Sequence, residues 1–269
     1  MISIKDGSLD KLKDFNITNM HILADFDRTM TIGSSESSWG ILSKSPLVPN
    51  EYVNDRKLLY NYYRPLEVDE TIDYKTKNQL MTDWWQKHIQ LFIKYKLQED
   101  VINQAIKDPN VMTFRKGAKD FLELMHKNSI PVIIISAGIG NFIEQFLINN
   151  DAYFDNIYIV SNFIKFENGI AVGIKDTIIH SLNKNEAAIP NYIRDVIKDR
   201  DNIILFGDFI GDVLMAPDEK RDHALKIGFL EENILNNTEI YKKTFDIVCT
   251  DNTSFKEVLK VLDLFKEEE

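Results

Sequence analysis

The chain has 269 residues, 44% of them apolar, enough for the core of one large domain or one domain with a sizeable insertion. Asp and Glu outnumber Lys and Arg by 42 to 32, a formal charge of −10. That balance argues against nucleic-acid polymers and anionic membranes as partners, although a local cation could still hold one small phosphate. A single cysteine, Cys249, excludes an internal disulfide and reads as a buried small hydrophobe. With no apolar run of about 18 residues and no signal-type N-terminus, a soluble cytoplasmic protein is expected.

In chain order, the first 15 residues are expected to form a surface helix. Next comes "HILADFD" (21–27), the first of five short apolar runs. The others are "IPVIIISAG" (130–138), "NIYIVSN" (156–162), "NIILFGD" (202–208) and "FDIVCT" (245–250). Their near-continuous Ile and Val content suits strands buried on both faces. Between them lie helical patterns: Ala118, Phe121, Leu122 and Met125, then Ile139, Phe142, Ile143, Phe146 and Leu147. Alternating strands and helices predict an α/β, doubly wound parallel sheet of the Rossmann-like kind, assembled from residues 1–31 and 112–269. Residues 32–111 break that rhythm. They open with the polar, Ser-rich turn region "GSSESSWG" and continue through the aromatic-rich "LLYNYYRPLEV" and "KNQLMTDWWQKHIQLFIKYKL". An inserted α-helical subdomain is expected there, and "LDLFKEEE" at the end is expected to be a helix with a solvated acidic tail.

Ligands of open parallel sheets bind beyond the carboxyl ends of the strands, and the predicted strand ends carry an unusual set of groups. Asp25 and Asp27 follow the first strand, two residues apart. Extended backbone would turn both carboxylates the same way, where they repel each other and resist burial. A divalent cation such as Mg2+, which prefers hard oxygen ligands, would offset that repulsion. Ser136, Ala137 and Gly138 follow the second strand; a hydroxyl plus free N–H groups at a helix start makes an anion site or a plain N-cap. Asp208 and Asp212 in "GDFIGD" follow another strand, near a bound ion or as caps of the next helix. Lys184 lies in a polar break where nothing local distinguishes it from a solvated lysine.

In this order, "DFDRT", a Ser after a strand, a Lys and "GDxxGD" resemble the haloacid dehalogenase (HAD) superfamily of phosphohydrolases. The nearer resemblance is to the cytosolic pyrimidine 5′-nucleotidases of the UMPH-1, or 5′-nucleotidase III, type. It is carried by "ADFDRTMT", "YYRPLEVD", "IPVIIISAGIGNFIEQ", "VSNFIKFENG", "IIHSLNKNE", "NIILFGDFIGDVLMA" and "LKIGFL", across roughly residues 21 to 230. The resemblance implies a HAD-like core with a helical cap that covers the site and selects the leaving group. It implies Asp25 as the nucleophile that becomes an aspartyl-phosphate, and Asp27 as general acid and then general base. Mg2+ would be held by Asp25, the backbone carbonyl of Asp27 and Asp208, with Asp212 close by. Ser136 and the N–H groups after it would hold phosphoryl oxygens, and Lys184 would neutralise charge. Asp83 falls at the position of the family's base-reading glutamate, one methylene shorter, and Trp84 beside it could pack against a base. The alternative is an Asp83–Lys87 surface pair with Met81, Trp84 and Trp85 in the core. Thr29 is either an orienter of Asp27 or a turn hydroxyl. Phe209 stands where the family usually has a small polar residue, and "PDEK" after "VLMA" replaces its usual "DG".

The implied substrate is a nucleoside 5′-monophosphate, with CMP or UMP favoured. Two other readings stay open. One keeps the chemistry for a sugar phosphate, a modified nucleotide or transfer to an alcohol; the other is a non-catalytic metal- or nucleotide-binding protein.

Overall fold

The computed structural model describes residues 1–69, 71–108, 110–185 and 188–262. Its central sheet holds β1 (Ile2–Ile4), β2 (Met20–Ala24), β3 (Val132–Ile139), β4 (Ile157–Asn162), β7 (Asn202–Gly207), β8 (Leu225–Phe229) and β9 (Ile247–Cys249). They lie in the order β1-β9-β8-β7-β2-β3-β4, with only the edge strand β1 antiparallel. The α/β, doubly wound parallel architecture expected from the sequence is therefore what forms. Strand periodicity explains it. Ile22, Ala24, Val132, Ile134, Ile204 and Phe206 face one apolar layer, while Leu23, Ile133, Ile135, Ile203 and Leu205 face the other.

Helices α5 (Ala118–Lys127), α6 (Gly140–Asn149) and α9 (Phe255–Leu262) fill the first layer through Phe121, Phe142 and Phe255. Helices α7 (Asn191–Ile197) and α8 (Ile234–Thr244) fill the second through Ile193 and Tyr241. Cys249 is buried in the first layer, and that burial pushes its thiol up to about 12, so it serves as an apolar filler. Chain direction reverses about β2: one crossover runs to β3 on one side, and a later one reaches β7 on the other. The crevice between β2 and β7 is thus a switch point of the kind where such sheets bind ligands.

Between β2 and α5 lie α1 (Ser38–Lys44), α2 (Asn50–Val68), α3 (Tyr74–Lys94) and α4 (Asp100–Ala105). Tyr63, Met81, Trp84 and Trp85 form a separate apolar cluster between α2 and α3. A second excursion was not foreseen: β5 (Ile164–Glu167) and β6 (Ile170–Ile174) form an antiparallel hairpin. Its turn, Asn168-Gly169, has positive φ at both positions (51° and 75°), the backbone a tight two-residue hairpin requires. The hairpin docks on the helical region through Ala171 N–H to Leu97 O and Glu99 N–H to Gly169 O, both 2.9 Å.

The N-terminus departs from the expected surface helix. β1 pairs with β9, and the chain then makes a 3-10 helix at Ser8–Asp14. Strand β1 is too short to carry a recognisable alternation, so its pairing comes from the sheet edge that β9 offers. The expected acidic tail, residues 263–269, lies outside the described residues. Among the described residues no helix is long and apolar enough to cross a membrane.

Candidate active site

Strand β2 ends at Ala24, but Asp25 N–H still donates to Phe206 O of β7 at 2.9 Å. This last rung fixes Asp25 at the mouth of the crevice. The chain then curls: the N–H groups of Met30 and Thr31 return to Phe26 O, and Arg28 takes a left-handed φ of 66°. Phe26 is wholly buried, so the residues flanking it stay at the rim.

Lys184 sits 159 positions along the chain from Asp25 yet is only 5% exposed. Its Nζ donates to Asp25 Oδ1 at 2.5 Å and to Asp212 Oδ1 at 2.7 Å. Burial alone would lower this lysine's pKa; the charges of Asp212 and Asp25 outweigh it and hold the ammonium charged. The other oxygen of Asp212 accepts from the N–H groups of Asp208 (3.1 Å) and Phe209 (3.0 Å). Asp212 therefore caps the Ile210–Met215 3-10 turn and holds Lys184 at once. A Cβ at Gly207 would lie 2.5 Å from that of Asp212, so only glycine permits this approach.

Oxygens of Asp25, Asp208 and Asp212 lie within 4.8 Å of one another. Burial pushes Asp25 up to about 7, with Lys184 pulling it down and Asp212 adding to the rise. Burial, followed by the charges of Asp25 and Asp212, raises Asp208 well above the usual carboxylate range. Three carboxylates against one ammonium leave excess negative charge, and a divalent cation with oxygen ligands fits that donor set.

Asp27 faces elsewhere. Its Oδ2 accepts from both the N–H and the hydroxyl of Ser38, each at 3.0 Å, while Oδ1 is buried with no partner among the described residues. The acidic group holds the carboxylates of Asp25, Asp208 and Asp212 and not that of Asp27, for which the resemblance implies a metal role through the backbone carbonyl alone. Burial raises its pKa against the two Ser38 hydrogen bonds. Thr29 is buried and its hydroxyl has no partner among the described residues, so the orienting bond to Asp27 comes from Ser38.

Ser136 belongs to β3 and is not the N-cap of α6, which begins at Gly140. Its Oγ accepts from Gly138 N–H at 3.1 Å, and its own proton has no acceptor among the described residues. Ala137 O accepts three donors: the indoles of Trp39 and Trp85, both at 2.9 Å, and Asn162 Nδ2 at 3.0 Å. Asn162, at the end of β4, also exchanges hydrogen bonds with Ile179 (Nδ2 to O, 2.7 Å; N–H to Oδ1, 2.9 Å). It thereby ties the 136–138 turn to the loop that carries Lys184. From the other side, Ser181 Oγ donates to Glu67 of α2 at 2.7 Å, and Tyr74 OH of α3 donates to Leu182 O at 3.0 Å.

Asp25, Asp208, Asp212 and Lys184 are thus in one cluster. Ser136, Gly138 and Asp27 converge beside it, since a Cβ at Gly138 would lie 3.1 Å from Ser136 Oγ and 3.2 Å from Asp27 Oδ2. Asp83 is half-buried on α3 and accepts from Gln79 Nε2 at 2.9 Å, while Lys87 turns instead to the Tyr63 hydroxyl at 2.7 Å. Trp84 stacks on Tyr63 at 5.7 Å, and its buried Nε1 has no partner among the described residues. Sequence reasoning missed Ser38, Trp39 and Asn162, whose roles appear only when separate segments meet.

The sequence profile described as pyrimidine 5′-nucleotidase (UMPH-1) matches residues 27–266. The chain is 34% identical over 238 residues to the 7-methylguanosine phosphate-specific 5′-nucleotidase of Homo sapiens, covering 85% of this chain and 79% of that protein. The crystal structure of cytosolic 5′-nucleotidase IIIB bound to cytidine superposes with a TM-score of 0.87 at 29% identity, over 98% of this chain and 93% of that one. Substrate-bound phosphoserine phosphatase shares the fold alone: TM-score 0.56, 19% identity, 90% and 98% coverage.

Proposed function

We propose, from the premise that this chain belongs to the pyrimidine 5′-nucleotidase (UMPH-1) family, that it is a phosphatase of the HAD type hydrolysing nucleoside 5′-monophosphates. The observation that carries this reading is the buried ammonium of Lys184 between Asp25 and Asp212, with Asp208 beside them at the β2–β7 crevice.

In this reading a carboxylate oxygen of Asp25 attacks phosphorus. The bond from phosphorus to the nucleoside oxygen breaks, and its electron pair leaves with that oxygen, which takes the Asp27 proton. Water then attacks phosphorus in the aspartyl-phosphate, Asp27 accepts its proton, and phosphate is released with Asp25 restored. Dividing one displacement into two suits a carboxylate nucleophile. Asp27 must begin protonated, and its burial favours that state. Ser136 and the N–H groups after it hold phosphoryl oxygens, and Lys184 neutralises charge on the nucleophile and the phosphate. Asp25, Asp208 and the Asp27 carbonyl would hold Mg2+, which would supply neutralisation of the negative charge on the phosphate and the carboxylates. Asp212, with both oxygens engaged, acts by holding Lys184. The helical segment 32–111 acts as the cap over this site.

Base choice falls to α3. The carboxylate of Asp83 can accept from the exocyclic amine of cytosine or from the N–H edge of a guanine. A cationic 7-methylguanine would in addition favour aromatic faces such as Trp84. The relatives' names favour 7-methylguanosine monophosphate beside the pyrimidine nucleotides. We infer a cytosolic location, in keeping with relatives named as cytosolic 5′-nucleotidases.

The test is phosphate release from CMP, UMP, 7-methylguanosine monophosphate, AMP and a sugar phosphate, with Mg2+ or EDTA. Turnover of the first three in Mg2+ alone is expected. Comparable release from the sugar phosphate would overturn the nucleotide assignment, and no release from any would overturn the enzyme reading.

A further inference from the structure

The least conspicuous residue at the site makes the most constrained contacts. Ser38, the first residue of α1, is completely buried between the two halves of the site. Three hydrogen bonds meet on it: its N–H and its hydroxyl reach Asp27 Oδ2, and Ile139 N–H reaches its Oγ, all at 3.0 Å. An N–H can only donate, so Ile139 occupies a lone pair of the Ser38 oxygen. The single hydroxyl proton is then committed to Asp27.

The same geometry distinguishes the two oxygens of Asp27. Oδ2 receives two donors and has to stay an acceptor, whereas Oδ1 is buried without a partner among the described residues. The geometry points to Ser38 as the positioning residue of the acid step, one that commits Oδ2 to accepting and leaves Oδ1 to carry the proton given to the departing oxygen. This rests on the reading of Asp27 as general acid. Phosphorus–oxygen cleavage then leaves its electron pair on the nucleoside oxygen, the Oδ1 proton moves there, and Asp27 becomes a carboxylate that the two Ser38 donors stabilise.

Gly138 is independent support. Its φ is not in the left-handed region, so backbone freedom does not require glycine there. A Cβ at that position would lie 2.1 Å from Ser38 Oγ, an atom pinned from two sides. The turn lacks a side chain at the point where the serine hydroxyl enters. Trp39, next in the chain, fastens the same helix end to Ala137 O at 2.9 Å. The start of α1 is thus fixed to the phosphoryl-binding turn and to the acid together.

A comparison of leaving groups separates positioning from structural support. The full-length chain with Mg2+ is mixed with CMP or with p-nitrophenyl phosphate, whose departing phenolate needs little help from a proton. The burst of cytidine or p-nitrophenol in the first turnover is recorded, together with the melting temperature. Ser38→Ala is expected to slow the cytidine burst about tenfold or more and the p-nitrophenol burst less than threefold, with KM little changed and the melting temperature lowered because the buried Ile139 N–H loses its acceptor. Ser38→Cys keeps the size but has a weak donor, so it should behave like Ser38→Ala, whereas Ser38→Thr should restore the cytidine burst. If Asp27→Asn slows both bursts equally, the acid reading fails and this assignment fails with it. If Asp27→Asn is selective for cytidine but Ser38→Ala slows both esters equally, or neither, the acid reading survives and Ser38 is only structural.

Discussion

Along the rim of the sheet, position is set by charge: Asp25, Asp208 and Asp212 crowd together, and Lys184 reaches two of them across the crevice. Among α1, α2 and α3, position is set by shape. Trp39 stacks on Phe92 at 5.7 Å and meets Trp85 edge-on at 6.0 Å, while Trp84 stacks on Tyr63. The rim is a poor device for stability, because burying like charges costs more than one ammonium returns. The aromatic layer is a good one, since each ring buries a large apolar area and adds a geometric preference. The contrast teaches that this protein keeps its chemical groups strained and places the means of holding them in the neighbouring helices.

The largest expected effect breaks the rim alone. Asp25→Asn should lower phosphate release by about four orders of magnitude while leaving the circular dichroism spectrum unchanged. Activity near that of the parent chain would place the nucleophile elsewhere. Lys184→Met should come next. Without its ammonium the acidic cluster is left buried and uncompensated, and chemical denaturation in EDTA should show a loss of about 3–5 kcal/mol.

The aromatic layer should answer to acid instead. His88 lies against Trp39 and Trp84, and burial, with a smaller push from Arg56, lowers its imidazole from 6.5 to about 3. Unfolded, it binds a proton below about 6.5; folded, it does not until about 3. The unfolded state therefore takes up more protons across that window, and stability falls as the pH drops through it. The full effect is about 5 kcal/mol, and His88→Leu should flatten the dependence measured by tryptophan fluorescence. Smaller again is Trp85→Phe, which keeps an aromatic face but loses the pyrrole part of the indole and with it the donor to Ala137 O, at about 1–3 kcal/mol of stability. Asp83→Ala should have the least effect on the fold. It should alter selection among bases by about tenfold while sparing hydrolysis of p-nitrophenyl phosphate, and equal losses on both would make Asp83 structural.

The same contrast explains what could be read in advance. The five short apolar runs became strands because a strand buried on both faces has a simple signature. Asp25 and Asp27 were legible because carboxylates directly after such a run are costly without a reason, whereas Asp208 and Asp212 read locally as helix caps as well as ion ligands and the family resemblance singled them out. Lys184 was not distinguishable from a solvated lysine locally; the family resemblance singled it out, and the fold placed it against Asp25. Ser38 was one of four serines in "GSSESSWG", and no spacing rule separates it from the others. Asn162 was likewise invisible, since its partners lie on two distant loops. Strands β1 and β9 have only three residues each, below the length at which periodicity speaks; β9 was found because "FDIVCT" carries the unbroken apolar run Ile247, Val248 and Cys249. The hairpin β5–β6 was a different kind of miss, because Asn168-Gly169 between apolar stretches is a readable turn signal.

The carbonyl of Ala137 has a consequence for how the pocket receives its ligand. With two indoles and an amide converging on one oxygen, the peptide plane between Ala137 and Gly138 cannot rotate without surrendering all three bonds together. Its opposite edge, the Gly138 N–H, is therefore held toward Ser136 Oγ, so both edges of this peptide and the serine beside it share one fixed orientation.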